Sequence, residues 1–139
     1  MVENEEKQQK LQEIYVELQV LQQQVQQYQQ QLQEIEQQLM NVARVQQNLH
    51  EFKELEEGTE ILVPLSAGIF AKAQIKDSKN LNVNVGSDVI VVKDVDSTNE
   101  LLAEQVKELM NAQSEFANQL NELISTAQQK ESELRSLME

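Results

Sequence analysis

From residue 11 onward the chain places an apolar residue at alternating steps of three and four: Leu11, Ile14, Leu18, Leu21, Val25, Tyr28, Leu32, Ile35, Leu39 and Val42. That alternation is the seam period of a coiled coil. A second stripe with the same steps runs Leu102, Val106, Leu109, Gln113, Phe116, Leu120, Leu123, Ala127, Lys130, Leu134 and Leu137. Between them, over residues 59–98, the period changes to two. One face of a helix produces the first pattern and one face of a strand the second. The pattern predicts an α+β chain, an antiparallel two-helix coiled coil flanking a β insert. It divides into an N-terminal helix over 1–58, a strand region over 59–98 and a C-terminal helix over 99–139. A hairpin insert returns the chain beside its point of departure. The helices then pair within the chain, with Phe52 near Leu101, Leu11 near Leu137, and both chain ends at the far tip of a long arm.

The off-stripe positions of the first arm are mostly Gln and Glu, which are good helix formers. Runs such as Gln22-Gln23-Gln24 have the composition of a low-complexity tract, but the unbroken apolar alternation marks a folded seam. After Val42 the next apolar residues are Val45, Leu49, Phe52 and Leu55. The slip resembles a stammer, although a helix beginning to meet the strands explains it as well and is preferred. Gly58 is placed to stop the helix. Thr59–Leu65 reads as a strand that Pro64 confines to an edge or a bulge, and Ser66-Ala67-Gly68 as a turn. Ile69–Ile75 alternates, Lys76–Asn80 is a polar hairpin loop, and Leu81–Val85 alternates again. Gly86-Ser87-Asp88 turns the chain into Val89–Val92, which is apolar on both faces and calls for cover on both. Four strands in two hairpins follow. Ser97 and Glu100 have the spacing of a capping box that opens the second helix.

Composition limits what such a chain does alone. Of 139 residues only 4% are aromatic and none is Trp. A narrow seam and a short insert bury little per residue, so both read as parts of an assembly. Two hairpins leave strand edges unpaired. Ile61, Val63, Ile69, Ala71, Ile75, Val83, Val85, Val89 and Val91 are the expected assembly surface. The net charge of −13 repels phosphate backbones. Without cysteine there is no disulfide and no thiolate chemistry. Neither a signal peptide nor an apolar run of ~18 residues is present, and the expected setting is cytoplasmic, away from membranes.

No constellation carries catalytic chemistry. His50 reads as a solvated helix residue without a nucleophile or metal beside it. Carboxylates are spread along helix faces rather than set at metal-ligand spacing. Gly58, Gly68 and Gly86 are too far apart for a phosphate cradle, and Ser66 and Ser87 lack the context of a nucleophile elbow. The expectation is no enzyme, no metal and no cofactor. Gln113 and Lys130 lie on the seam, where polar residues fix register or are simply tolerated, the lysine reaching out to solvent. Leu11, Ile14, Leu134, Leu137 and Met138 gather at the arm end, with Met1 and Val2 beyond. They are either an adaptable apolar surface or ordinary seam residues at frayed ends.

The segment Glu60-Ile61-Leu62-Val63-Pro64-Leu65-Ser66-Ala67-Gly68-Ile69-Phe70-Ala71-Lys72-Ala73, set between two arms, resembles the β region of prefoldin, also called GimC. So does Leu81–Lys93, a valine-rich strand, a Gly-containing turn and a returning strand. The family often has Gly directly after the Pro-Leu pair, where this chain has Ser66. Room for two hairpins resembles the alpha class rather than the one-hairpin beta class. The resemblance implies a hexamer of two alpha-class and four beta-class subunits, whose strands join an oligomeric β-barrel platform bearing six coiled coils. It implies an ATP-independent holdase whose tips, here Leu11, Ile14, Leu134, Leu137 and Met138, bind non-native polypeptides for delivery to a group II chaperonin. A structural scaffold or tether assembled through its β insert is the alternative from another class.

Overall fold

The computed structural model describes residues 2–139; Met1, expected beside the arm end, lies outside the described residues. The order of elements is α1 (Val2–Lys53), β1 (Glu60–Ser66), β2 (Ile69–Gln74), β3 (Asn80–Asn84), β4 (Ile90–Asp94) and α2 (Val95–Met138). The chain forms two units, one of residues 1–38 and 109–139, the other of residues 39–108.

In the first unit the predicted seam is the buried face of both helices. Each stripe residue from Leu11 to Ile35, and from Leu109 to Leu137, is buried or half-buried, and most of the positions between them are exposed. Ile14, Leu18 and Ile35 are the buried ones of α1. Tyr28 and Phe116 meet across the seam with ring centroids 5.5 Å apart and planes tilted by 52°. A tilted pair of this kind contributes about 0.5–1.5 kcal/mol beyond its burial. Glu17, earlier in α1, meets Lys130, later in α2, at 2.8 Å. The two crossings run in opposite senses, so the helices are antiparallel.

The second unit departs from the sequence reading in four places. After Val42 the half-buried positions are Gln46 and Leu49, while Val45 is exposed. The three-four alternation therefore continues through a glutamine to Leu49, and the second of two successive threes falls later, at half-buried Phe52 in the last turn of α1. α1 ends at Lys53, five residues before Gly58. Glu54 and Leu55 donate to carbonyls only three residues back, Glu51 at 3.2 Å and Phe52 at 3.1 Å, which tightens and closes the last turn. Gly58 instead serves the strands. With φ +86 it sits in the left-handed region and donates its N–H to Ile75 O at 2.7 Å.

Lys76–Asn80 is not a hairpin loop, because β1 pairs only with β2 and β3 only with β4, in two separate two-stranded sheets. The Asp77 carboxylate accepts the Lys79 N–H at 2.9 Å, the Asn80 N–H at 3.2 Å and the Asn80 side-chain amide at 3.1 Å. Lys79 O in turn accepts the Val95 N–H at 3.2 Å, and Ile75 N–H donates to Thr59 O at 2.9 Å. The connection is a fixed bridge between hairpins, with Ile75, Ser78, Val95 and Thr98 buried along it.

α2 begins at Val95 rather than near Ser97. Asp94 is its N-cap, its carboxylate accepting the Ser97 N–H at 2.7 Å. Thr98 donates its hydroxyl to Asp94 O at 2.8 Å. Across the first turn of α2, Lys53 reaches Asp96 at 3.0 Å.

Candidate functional site

The hairpins are the first candidate. Cross-strand partners share a face of a two-stranded sheet. In the first hairpin Ile61 pairs with Ala73 and Val63 with Ala71, so these four form one face. Leu62–Lys72 and Pro64–Phe70 form the other. The register shifts between Pro64 and Ser66, leaving Leu65 in a bulge, and the positive φ of this turn falls on Gly68. Ser66 stays in the ordinary region, so the turn does not need glycine there. In the second hairpin Leu81–Lys93 and Val83–Val91 form one face, and Asn82–Val92 and Asn84–Ile90 the other. Its turn places Gly86, Ser87 and Asp88 at φ 121, 51 and 60. Asn84 helps to hold it, its side-chain oxygen accepting the Gly86 N–H at 2.9 Å.

Of the expected assembly residues, Ile61, Ala71 and Val83 are half-buried within the chain, and Val63, Ile69, Val85, Val89 and Val91 are exposed. Ile75 is already buried by its own chain. Apart from Ile69 at 56%, the most exposed apolar side chains of the hairpins lie on the opposite face or in the bulge. They are Leu62 at 61%, Leu65 at 69%, Phe70 at 56%, Ile90 at 67% and Val92 at 65%. Alternation draws attention to the uniformly apolar face and away from these residues. The runs Ile61–Leu65 and Val89–Val92, apolar at every position, are what signals them in the sequence.

The arm end is the second candidate. Ile14 is 3% exposed and belongs to the seam. Leu11, Leu134 and Leu137 are half-buried, and Met138 is exposed. Lys130 occupies its seam position by laying its stem along the seam and placing its ammonium 2.8 Å from Glu17 and 3.8 Å from Glu133. The Glu17 hydrogen bond and charge hold the Lys130 pKa above its ordinary value. Tyr15, Val16 and Val20 are exposed near the same end. A heptad reading passes over them because they are off the stripe.

The open groove beside Ala127, about 410 Å³, is lined by Gln22, Val25, Gln26, Ile124, Gln128 and Glu131, amides and a carboxylate without a nucleophile. Among the described residues no cluster of His, Asp and Glu is placed to hold a metal. Among them, too, no helix is long and apolar enough to cross a membrane. The two candidate surfaces, on hairpins and arm, are apolar.

Against known families, the model for prefoldin subunits matches residues 21–139, the later part of the first arm, the whole insert and the second arm. The chain belongs to the prefoldin family. Its relatives place it in the alpha class. It is 36% identical to prefoldin subunit alpha of Thermofilum pendens over 87 residues, 63% of this chain and 67% of the relative. It is 38% identical to prefoldin subunit alpha of Methanopyrus kandleri over 116 residues, 84% of this chain and 74% of that one. The likeness to the Archaeoglobus fulgidus subunit, at 30%, spans 64% of its length. The cryo-EM structure of filamentous PFD from Methanocaldococcus jannaschii superposes with TM-score 0.76 at 15% identity, over 84% of this chain and 96% of that one. At that identity the likeness is one of fold: two long helices and two small antiparallel hairpins. Prefoldin is a chaperone family of subunits, so the chain is a chaperone-type component that assembles with other prefoldin subunits.

Proposed function

We propose that this chain is the alpha-class subunit of an ATP-independent holdase, with two copies joining four beta-class subunits through a shared β-barrel. The observation that carries the reading is the state of the hairpins. Each is a two-stranded sheet on its own, and isolated two-stranded hairpins are marginal in water. Their apolar side chains, Leu62, Phe70, Ile90 and Val92 among them, stand in solvent. Strands from neighbouring subunits would pair the free edges and cover Val63, Val83, Val85, Val89 and Val91. Ile61, Ile69 and Ala71 complete that surface, and Ile75 supports it from within.

The arms then extend the holding surface. Leu11, Ile14, Leu134, Leu137 and Met138 supply apolar groups for a non-native polypeptide, each contributing at most ~1.5–3 kcal/mol. One arm binds weakly after ordering costs, and several arms on one platform add avidity. The held chain passes to a group II chaperonin in the cytoplasm, with the acidic arms suited to a contact that salt screens. The three segments 1–58, 59–98 and 99–139 act as arm, assembly region and arm.

Deleting residues 1–14 and 130–139 together tests this. A complex of full size, measured by light scattering with its partner subunits, is expected to form while its protection of a denatured client falls sharply. Undiminished protection by that complex would place the client elsewhere. No protection even by the intact complex would favour a scaffold or tether.

A further inference from the structure

In an antiparallel strand pair, opposite residues alternate between those that bond each other and those whose N–H and C=O point away. The Ile75 N–H donates to Thr59 O at 2.9 Å, and these two stand opposite in the register that sets Glu60 against Gln74 and Ile61 against Ala73. Ile61–Ala73 and Val63–Ala71 are therefore the bonded pairs. Glu60–Gln74, Leu62–Lys72 and Pro64–Phe70 turn their backbone groups outward. The two outer edges so formed are unequal. On β1, Pro64 has no N–H to offer, and the bulge at Leu65 ends regular pairing beyond it. On β2, Phe70, Lys72 and Gln74 offer a donor and an acceptor each in an unbroken row, with no strand beside them. Lys72, the middle one of the three, is exposed and carries the one charge of β2. Two copies of β2 paired about a two-fold axis at that point would set Lys72 directly against Lys72, and like charges placed opposite each other disfavour the pairing.

We propose that β2 is the edge by which the first hairpin takes a strand of a different subunit, one that carries Asp or Glu opposite Lys72, and that the β1 edge is the weaker joint. The inference rests on the reading of the hairpins as the assembly surface and deepens it by naming the edge and the partner's charge. The three outward donors of β2 give the contact its strength. Lys72 gives it selectivity, because it turns away a second β2 and favours a carboxylate in the cross-strand position. The edge of β1, one donor short and bulged, pairs over a shorter length.

The test uses the full chain, labelled and titrated with its partner subunits, with affinity read by anisotropy and complex mass by light scattering. Glu60 and Gln74 lie opposite each other and both turn outward, so proline at either removes one outer donor and no bond within the hairpin. Gln74→Pro is expected to weaken assembly about tenfold, and Glu60→Pro less than about threefold. Lys72→Glu is expected to weaken it about tenfold at low salt and much less at high salt. That variant leaves the backbone unaltered, so it decides the matter even where Gln74→Pro disturbs the hairpin. Equal losses from the two prolines overturn the proposal, and so does full affinity of Gln74→Pro or of Lys72→Glu. Val91→Asp tells the two failures apart. A complex that Val91→Asp abolishes while Gln74→Pro and Lys72→Glu spare it overturns the choice of edge alone, whereas one that all three spare sinks the hairpin reading beneath it.

Discussion

The seam of residues 1–38 and 109–139 and the hairpins of residues 39–108 handle apolar side chains in opposite ways. In the first, Ile14, Leu18 and Ile35 are buried by the partner helix of the same chain. In the second, β1 and β4 show solvent Leu62, Leu65, Ile90 and Val92. Both regions are rich in aliphatic residues, so hydrophobicity alone does not separate them. What separates them is the geometry that each period imposes. A helix gathers a 3.5-residue repeat onto one narrow stripe, which a single neighbouring helix covers. A strand sends successive residues to opposite faces, and a two-stranded sheet has no second layer to cover either. The arm completes its own burial, whereas the hairpins leave their apolar side chains to solvent.

The largest expected effect breaks that contrast at the hairpins. Val91→Asp places a charge on the face shared with Val83. In the lone chain the position is exposed, so helicity by circular dichroism is expected to stay as it was. In the assembly the same charge is buried at a cost of ~3–5 kcal/mol, and no full-size complex is expected by light scattering. A normal complex would mean that this face stays wet. Ile14→Ala reverses the pattern. It removes a buried side chain from a seam that the chain closes alone, and a loss of about 2 kcal/mol is expected in thermal unfolding of the isolated subunit. Assembly through the hairpins is expected to survive. Loss of assembly in this variant would show that the two regions are not separable.

The smallest effect concerns the start of α2. The Asp94 carboxyl is held below the usual carboxylate range because it accepts the Ser97 N–H and hydroxyl, with Lys53 and Lys93 nearby. Aspartate in an unfolded chain titrates near ~3.9. Because the folded value is depressed, the cap's contribution is complete above about pH 4. It is lost as the pH falls through the lower folded value. Asp94→Asn keeps an acceptor and removes the titration. Protection of the Ser97 amide, its exchange relative to an unfolded chain at the same pH, is expected to fall on acidification in the native chain and to change much less in the variant. An equal fall in both would show that the cap is not the titrating group.

The arms were legible almost residue by residue, because a seam leaves a strict period and few alternatives. Where the reading slipped, identity had been weighed above phase. Val45 is apolar and exposed, Gln46 is polar and half-buried, and the heptad alternation follows the glutamine. The α2 boundary slipped by one capping unit, since Asp94–Ser97 and Ser97–Glu100 have the same three-residue spacing. Only tertiary structure distinguishes them: Lys79 O holds Val95 and thereby sets the first turn. Strand positions were legible from alternation, and the two-hairpin count from turn residues. The exposed face with Leu62 and Phe70 was not, because Lys72 and Gln74 on that face make it look solvated. Off-stripe Val16 and Val20 were equally invisible to a search for periodicity.

The bridge between the hairpins has a kinetic consequence. Residues 75–79 are tied to Thr59 on one side and Val95 on the other, while no hydrogen bonds join β1–β2 to β3–β4. A subunit that joined the proposed platform through its hairpins would dock as a bivalent ligand. Once one hairpin is seated, the second finds its place at the high local concentration set by a short tether. Departure requires both to release before either re-forms. On the proposed assembly such a subunit is expected to leave more slowly than one held by a single hairpin.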